Sequence, residues 1–159
     1  DLNVENIIRV GTAGALLEDI KLNDILVATG ACTDSNYGDN FRLHGTISAV
    51  ASFDLLKKAD EVCQKIGFQK KVRLGQIFST DVFYKEQPDA LDWVKVGCIG
   101  IEMESYALYL NAARAGKRAL SINAVSDNIV THLELSAEDR AKSVDDTIVF
   151  SLETAISLD

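Results

Sequence analysis

The stretch "RALSINAVS" (residues 118–126) decides the fold class, because it predicts a buried strand whose end is polar. Most of its side chains are apolar or small, and Asp127 and Asn128 follow directly. A polar strand end can be a simple turn, since Asp and Asn hydrogen-bond to their own backbone there. In α/β proteins, however, the carboxyl ends of parallel strands are where ligands bind. The rest of the chain has to decide between these two interpretations.

Strand-like and helical patterns alternate on both sides of this stretch. Further strands are predicted at residues 6–11, 24–33, 71–80 and 98–103. Helices are predicted at residues 53–66, 87–95 and 104–115, and from Ser136 to the end. This alternation predicts a single α/β domain over residues 1–159, with a mixed, largely parallel central sheet flanked by helices.

The last helix carries a recognisable start signal and an apolar stripe. Ser136 and Asp139 are spaced as in a capping box, which predicts that the helix begins at Ser136. The buried face is predicted to be the stripe at helical spacing made of Ala141, Val144, Ile148, Leu152 and Ala155.

Composition excludes several classes of partner. The chain has 159 residues, of which 47% are hydrophobic and 25% charged, as in ordinary globular domains. Its net charge of −8 argues against nucleic acid or an anionic membrane as a partner, although a local cation could still bind a small anion. No apolar run approaches the roughly 20 residues of a membrane-spanning helix. The three scattered cysteines predict reduced thiols in a cytoplasmic protein.

The first candidate site residue is Arg9, which lies in an apolar strand before the turn "GTAG" (residues 11–14). A cation in such a strand is costly unless it is paired. Arg9, the Thr12 hydroxyl and the backbone N–H groups of a glycine-rich turn could together bind phosphate. The alternative is that Arg9 pairs with a nearby carboxylate. Neither a P-loop nor a GxGxxG motif occurs, which argues against nucleoside triphosphates and dinucleotides.

The second candidate is "IEMES" (residues 101–105), where a strand runs into a helix. Glu102 and Glu104 could simply stabilise the positive end of the helix dipole. Alternatively, one of the two carboxylates accepts hydrogen bonds from a vicinal diol, while Met103 packs against a sugar.

The third candidate is the pair Ser126 and Asp127, with Arg140 downstream. Arg140 falls in the first turn of the last helix, where the dipole disfavours a cation and a partner is needed. Asp139 is one such partner, and Asp127 is the other. A carboxyl group at the end of an apolar strand is shielded from water, which suits a general acid.

The remaining motifs carry weaker signals. Phe83 and Tyr84 fall in a predicted loop, where an aromatic ring could stack on a planar base or simply fill the core. His44 and His132 lack the spacing of metal ligands, so no metal site is predicted. A serine-hydrolase triad is not supported either.

Five motifs in register identify a family. The segments "IIRVGTAGAL", "ACTDS", "IFSTDVFY", "GIEMES" and "AVSDN" together resemble the bacterial hexameric type of purine nucleoside phosphorylase. The resemblance runs along essentially the whole chain. It implies reversible phosphorolysis, in which a purine nucleoside and phosphate give the free base and a pentose 1-phosphate. Phosphate is then a co-substrate, and no cofactor is implied.

The resemblance assigns roles to the candidate residues. Arg9 and Thr12 match phosphate-binding positions, and Met103 and Glu104 match ribose-binding positions. The positions that match the base-pocket lining are Ala13, Gly14, Phe83, Ile101, Glu102 and Ser126. By the same resemblance, Asp127 would protonate purine N7 with the assistance of Arg140.

Two residues favour one subfamily. A hydrolase attacks with water and needs no cation for phosphate, so Arg9 favours phosphorolysis. A proton donor at Asp127 suits N7, which a pyrimidine lacks. The alternatives are a uridine phosphorylase, a purine nucleosidase, or a non-catalytic nucleoside-binding fragment.

The resemblance also implies residues that this chain does not supply. Family members carry about a third more domain upstream, so residues 1–159 are expected to be the C-terminal two-thirds of a longer phosphorylase domain without its N-terminal strands. In a chain that starts at residue 1, an open apolar sheet edge is expected. A homo-oligomer, a hexamer built as a trimer of dimers, is implied as well.

Overall fold

A computed structural model describes residues 3–83, 89–136, 138–139 and 144–158. The strands are β1 (Asn6–Ala15), β2 (Ile25–Thr33), β3 (Ala49–Val50), β4 (Val72–Ser79), β5 (Cys98–Glu102), β6 (Arg118–Asn128) and β7 (Leu133–Glu134). The α-helices are α1 (Phe53–Ile66), α2 (Ser105–Arg114) and α3 (Asp145–Ile156). Within the described residues, 3₁₀ helices span Asn36–Phe41 and Ala90–Val96. The alternation predicted from the sequence is therefore confirmed.

The central sheet is mixed, as predicted, but it closes on itself. The strands run in the order β2–β4–β5–β1–β6, and β6 pairs again with β2. The ladders β1–β6, β2–β4 and β4–β5 are parallel, whereas β1–β5 and β2–β6 are antiparallel. The pair β2–β6 joins the two strands that would otherwise end the row, which satisfies backbone groups that an open sheet leaves unpaired.

The first half of β1 lies at an incomplete part of this ring. Its partner β5 reaches only Gly14 and Ala15. Within the described part of the chain, residues 6–13 therefore form a ladder with β6 alone. The side chains of Ile7 and Val10 on this segment are exposed. The ring thus takes the place of the expected open sheet, and apolar side chains remain exposed along this half-strand.

Helix α1 follows the predicted pattern. Its spaced apolar side chains pack into the main core, and the fully buried ones are Leu55, Ala59, Val62 and Cys63. The helix ends at Gly67, which has φ 78°. Glycine adopts this left-handed conformation without the strain that a Cβ would cause, so it ends the helix at low cost.

Helix α3 corrects the predicted buried face. Ile148 and Leu152 of the predicted stripe are exposed, and Val144 is only half-buried. The buried face is made of Thr147, Phe150, Ser151 and Thr154. The prediction was wrong because two of these hydroxyl groups find hydrogen-bond acceptors within the helix and can therefore be buried. Ser151 Oγ donates to the Thr147 carbonyl at 2.7 Å, and Thr154 Oγ1 donates to the Phe150 carbonyl at 2.8 Å. Ala141 lies outside the described residues. Ser136 and Asp139 make the expected mutual contacts, with Asp139 N–H donating to Ser136 Oγ at 3.0 Å.

The three cysteines are free thiols. Burial raises the pKa of Cys63, and burial together with the neighbouring Cys32 raises the pKa of Cys98 to about 12. Cys63 and Cys98 therefore stay protonated and poorly nucleophilic near neutral pH. None of the helices in the described part of the chain is long and apolar enough to cross a membrane.

Candidate active site

Three neighbouring strands of the ring carry the candidate residues. Strand β1 (Asn6–Ala15) lies between β5 and β6, and residues 11–14, which were predicted to form a turn, belong to this strand. Arg9 pairs with β6, and Gly14 and Ala15 at the end of β1 have a candidate strand on each side. The register pairs Gly14 with Ile101 on β5 and with Asp127 on β6. The fold therefore brings together motifs that are separated by about a hundred residues in the sequence.

Arg9 has polar partners on two sides. Its Nη2 donates to the Glu104 carboxylate, and its Nη1 donates to Asn123 Oδ1 and lies 3.5 Å from Glu102 Oε2. Arg9 therefore has the carboxylate partner that the alternative interpretation predicted. This pairing does not exclude anion binding, because the Arg9 side chain remains 20% exposed.

A cavity of about 500 Å³ opens beside Arg9. One wall contains Arg9, Gly11 and Thr12, and the other contains Val144 and Ile148 of the last helical segment. Thr12 is exposed, so its hydroxyl is accessible to a ligand. The predicted phosphate-binding pair therefore borders a space large enough for a small anion.

The two glutamates of "IEMES" have different surroundings. The Glu102 carboxylate is buried and accepts the backbone N–H groups of Glu104, at 3.0 Å, and of Ser105, at 3.0 Å, where α2 begins. Glu102 therefore stabilises the helix start, which was one of its two interpretations. The side chain of Glu104 is 58% exposed, and Met103 beside it is also exposed. Glu104 is thus the carboxylate that a sugar could reach.

A β-bulge sets the position of Asp127. Ala13 pairs with Val125 but Gly14 pairs with Asp127, so Ser126 is the extra residue. The Asp127 carboxylate is buried, and Ser126 Oγ donates to its Oδ1 at 2.8 Å. A Cβ on Gly14 would come within 2.9 Å of Asp127 Oδ2, so glycine leaves the room that this carboxylate occupies.

Asn128 stabilises the turn at the same strand end through hydrogen bonds to the backbone. Its Nδ2 donates to the carbonyls of Leu17 and Ile20, at 2.8 and 2.9 Å, and its Oδ1 accepts the N–H groups of Val130 and Thr131. The polar end of β6 therefore fits both interpretations: Asn128 stabilises the turn, and Asp127 is the candidate site residue.

The other predicted residues fall in different surroundings. Ala13 and Ile101 are buried beside Gly14, whereas Phe83 is exposed in the loop after β4. Arg140, the predicted assistant of Asp127, lies outside the described residues, as does Tyr84.

Comparison with known proteins identifies the family. The model of the phosphorylase superfamily matches residues 1–155, which is nearly the whole chain. The chain belongs to the phosphorylase superfamily. The matched range includes Arg9, Glu104 and Asp127, and it also includes the five motifs that suggested the resemblance.

Curated members of the superfamily are similar over most of this chain. A DeoD-type purine nucleoside phosphorylase from a Geobacillus species is 40% identical over 153 residues, covering 96% of this chain and 64% of the relative. The same type of enzyme from Listeria welshimeri is 44% identical over 154 residues, covering 97% and 65%. The enzyme from Shewanella baltica is 42% identical over 160 residues, covering 99% and 66%. This superfamily member therefore spans about two thirds of the length of these relatives.

The superfamily fold is confirmed by a solved structure, described as a structural analysis of the P. knowlesi homologue of P. falciparum PNP. It superposes with a TM-score of 0.80 at 24% identity, covering 98% of this chain and 63% of that one.

One polar cluster in this phosphorylase-superfamily chain was not predicted from its sequence. Ser105, Tyr109, Ser121 and Asn123 are buried together against Arg9. A signal was present, since Ser121 and Asn123 interrupt an apolar strand two residues apart and therefore share one face of it.

Tyr109 links this cluster to the core and yields a stability prediction. Its Oη donates to the Ala28 carbonyl at 2.6 Å and accepts the Ser121 N–H at 3.0 Å. Tyr109→Phe should lower the free energy of unfolding by about 1–3 kcal/mol, because both buried groups lose this partner. Urea titration measures this change. Tyr37→Phe is the matched control, since the Tyr37 hydroxyl accepts from Asn111 at the exposed surface. Equal effects of the two substitutions would contradict the prediction.

The same side chain predicts a loss of stability at high pH. Burial raises the pKa of Tyr109 above its ordinary value, whereas the unfolded chain titrates near the ordinary value of about 10. Above about pH 10 the unfolded state therefore loses a proton that the folded state keeps, and stability falls as pH rises. Tyr109→Phe should reduce this pH dependence in the same titration.

Proposed function

We propose that this chain carries the catalytic part of a purine nucleoside phosphorylase, which cleaves purine ribo- or deoxyribonucleosides with phosphate to the free base and a pentose 1-phosphate. The observation that carries the proposal is the contact of Arg9 with Glu104. It puts a cation suited to phosphate beside a carboxylate suited to sugar hydroxyls, in a chain 40–44% identical to enzymes of that name.

The sugar and phosphate are bound on the Arg9 side of the site. Phosphate occupies the cavity bordered by Arg9 and Thr12, where the guanidinium offers a planar pair of donors. Glu104 then accepts hydrogen bonds from the ribose 2′- and 3′-hydroxyls, and Met103 packs against the ring. As the C1′–N9 bond breaks, the sugar becomes cationic, and the Glu104 carboxylate stabilises it electrostatically.

The leaving base is bound on the Asp127 side. Breaking the glycosidic bond pushes electrons into the purine, and a proton delivered by Asp127 to N7 neutralises the leaving group. Arg140 assists this transfer, and Phe83 stacks on the base. Ala13, Gly14, Ile101, Glu102 and Ser126 line or support the pocket. Phosphate attacks from the opposite face of the sugar, so the reaction consumes phosphate as a co-substrate and needs no cofactor.

Base release from inosine, adenosine and uridine, with and without phosphate, tests the proposal. We expect phosphate-dependent release of hypoxanthine and adenine. Release that is indifferent to phosphate would replace the proposal with a nucleosidase, and preference for uridine would replace it with a uridine phosphorylase. Binding of nucleoside without any release would make the chain a binding fragment.

A cytoplasmic homo-oligomer, the hexamer of the resemblance, is part of the proposal. Large exposed apolar side chains such as Leu43, Val50 and Phe53 support it, because such side chains are commonly covered in assemblies. Sedimentation equilibrium would contradict this part if the chain remained a monomer at assay concentration.

A further inference from the structure

A buried polar cluster lies against Arg9, and the proposed reaction gives it no role. Ser105, Ser121 and Asn123 are completely buried, and Tyr109 nearly so. Ser105 Oγ donates to Ser121 Oγ at 2.8 Å, and Asn123 Nδ2 donates to the same oxygen at 3.1 Å. The cluster ends at Arg9, where Asn123 Oδ1 accepts from the guanidinium.

The orientation of the Asn123 amide is determined by its two neighbours. A guanidinium only donates hydrogen bonds, so the Asn123 atom that faces Arg9 has to be the carbonyl oxygen. The amide nitrogen then points to Ser121, whose oxygen accepts from it. A buried amide that has partners on both ends holds one orientation, because the opposite orientation would leave donors facing donors.

Two partners of Arg9 carry no charge, namely Asn123 and Ser121, whose Oγ accepts from Nη1 at 3.4 Å. Glu102 and Glu104 also contact the guanidinium, but each carboxylate offsets its positive charge. A neutral carbonyl holds Nη1 by a charge-assisted hydrogen bond and leaves the positive charge available to an anion.

The backbone of β1 completes the support. Gly11 is the register partner of Asn123, and a Cβ at Gly11 would overlap the Arg9 guanidinium. The guanidinium therefore lies across Gly11, with Asn123 holding one end of it. We infer that Asn123 is a positioning residue, which fixes the Arg9 guanidinium beside the cavity as a preformed anion-binding fork without cancelling its charge. The identity of the anion as phosphate rests on the proposed function, whereas the fixed orientation does not.

Steady-state kinetics of Asn123→Asp test the role in ligand binding. This near-isosteric change keeps an oxygen towards Arg9 but adds the negative charge that the inference excludes. We expect the KM for phosphate to rise about 10–100-fold, the range for an altered hydrogen bond to a charged group. The KM for inosine, and kcat at saturating phosphate, should stay close to wild type. Asn111→Ala, at the exposed end of α2, is the control that should change neither constant.

Nitrogen-15 NMR of the arginine side chains tests the fixed orientation independently of activity. In the wild-type chain we expect separate Nη signals for Arg9, because hydrogen bonds slow rotation of the guanidinium; Arg9→Lys assigns them by their loss. In Asn123→Ala these signals should broaden or merge, while those of Arg73 stay unchanged.

The two measurements separate the inference from the proposed function. Unchanged Arg9 signals in Asn123→Ala overturn the inference, whatever the activity. If the Arg9 signals broaden or merge in Asn123→Ala but the wild-type chain shows no phosphate-dependent cleavage, the positioning role is supported and the proposed function is overturned. A uniform rise of both KM values in Asn123→Asp, with a matching loss of stability, would make Asn123 a core residue only and overturn the inference.

Discussion

Asp127→Ala should lower kcat for phosphorolysis of inosine by about 10²–10⁴-fold, the usual contribution of a general acid. The side chain is buried beside Gly14, and Ser126 Oγ donates to it, so water cannot easily replace the missing proton donor. Asp127→Asn should cause a comparable loss, because the amide keeps the shape but offers no acidic proton. Base release at saturating phosphate measures both variants.

A nucleoside whose base needs no proton isolates the chemical role. 7-Methylguanosine already carries a positive charge on its imidazole ring, so its cleavage should be much less sensitive to Asp127→Asn than that of inosine. Asp24→Asn serves as the control, since Asp24 is also a buried carboxylate but its side chain accepts from the Lys21 N–H in the turn before β2. An equal loss on both nucleosides would show that Asp127 maintains the pocket and is not the acid.

Arg9→Gln should raise the KM for phosphate about 100-fold or more, because truncating one member of a hydrogen-bonded charge cluster costs several kcal/mol. Arg9→Lys should recover only part of this loss, since an ammonium keeps the charge but cannot bind two phosphate oxygens in parallel. The measurement is base release at varied phosphate with saturating inosine.

Two further variants sharpen this test. Gly11→Ala removes no charge but pushes the guanidinium from its place across Gly11, so it should raise the phosphate KM in the same direction by a smaller factor. Arg73→Gln is the control, because Arg73 pairs with Asp19 at 3.4 Å at the surface. If Arg9→Gln left the phosphate KM at the wild-type value, Arg9 would be a structural ion and the proposed phosphate site would be wrong.

Individual helices and strands were predictable because residue spacing and end signals lie within each segment of the sequence. The apolar spacing of α1 and its stop at Gly67 follow from the 3.6-residue period and from the left-handed backbone that glycine tolerates. Strand β6 was predicted to end at Ser126, but it continues to Asn128, because Gly14 and Ala15 of β1 provide register partners for Asp127 and Asn128.

The face of α3 shows where a local pattern fails. The apolar stripe through Ile148 and Leu152 is the stronger signal in the sequence, yet it is exposed. Thr147, Ser151 and Thr154 are buried instead. The hydroxyls of Ser151 and Thr154 bond to carbonyls within the helix, and hydropathy cannot register a polar group that is already satisfied.

The sequence by itself determined the α/β class, the strand and helix order and the chemical types at the site, including Arg9, Glu104 and Asp127, since these follow from residue identity and short spacings. Only the tertiary structure decided that β6 pairs with β2 to close a ring, that a bulge places Asp127 opposite Gly14, and that Asn123 holds Arg9. Each of these is a contact between residues far apart in the chain. Such contacts depend on register and on the packing of several strands at once, which no local pattern encodes.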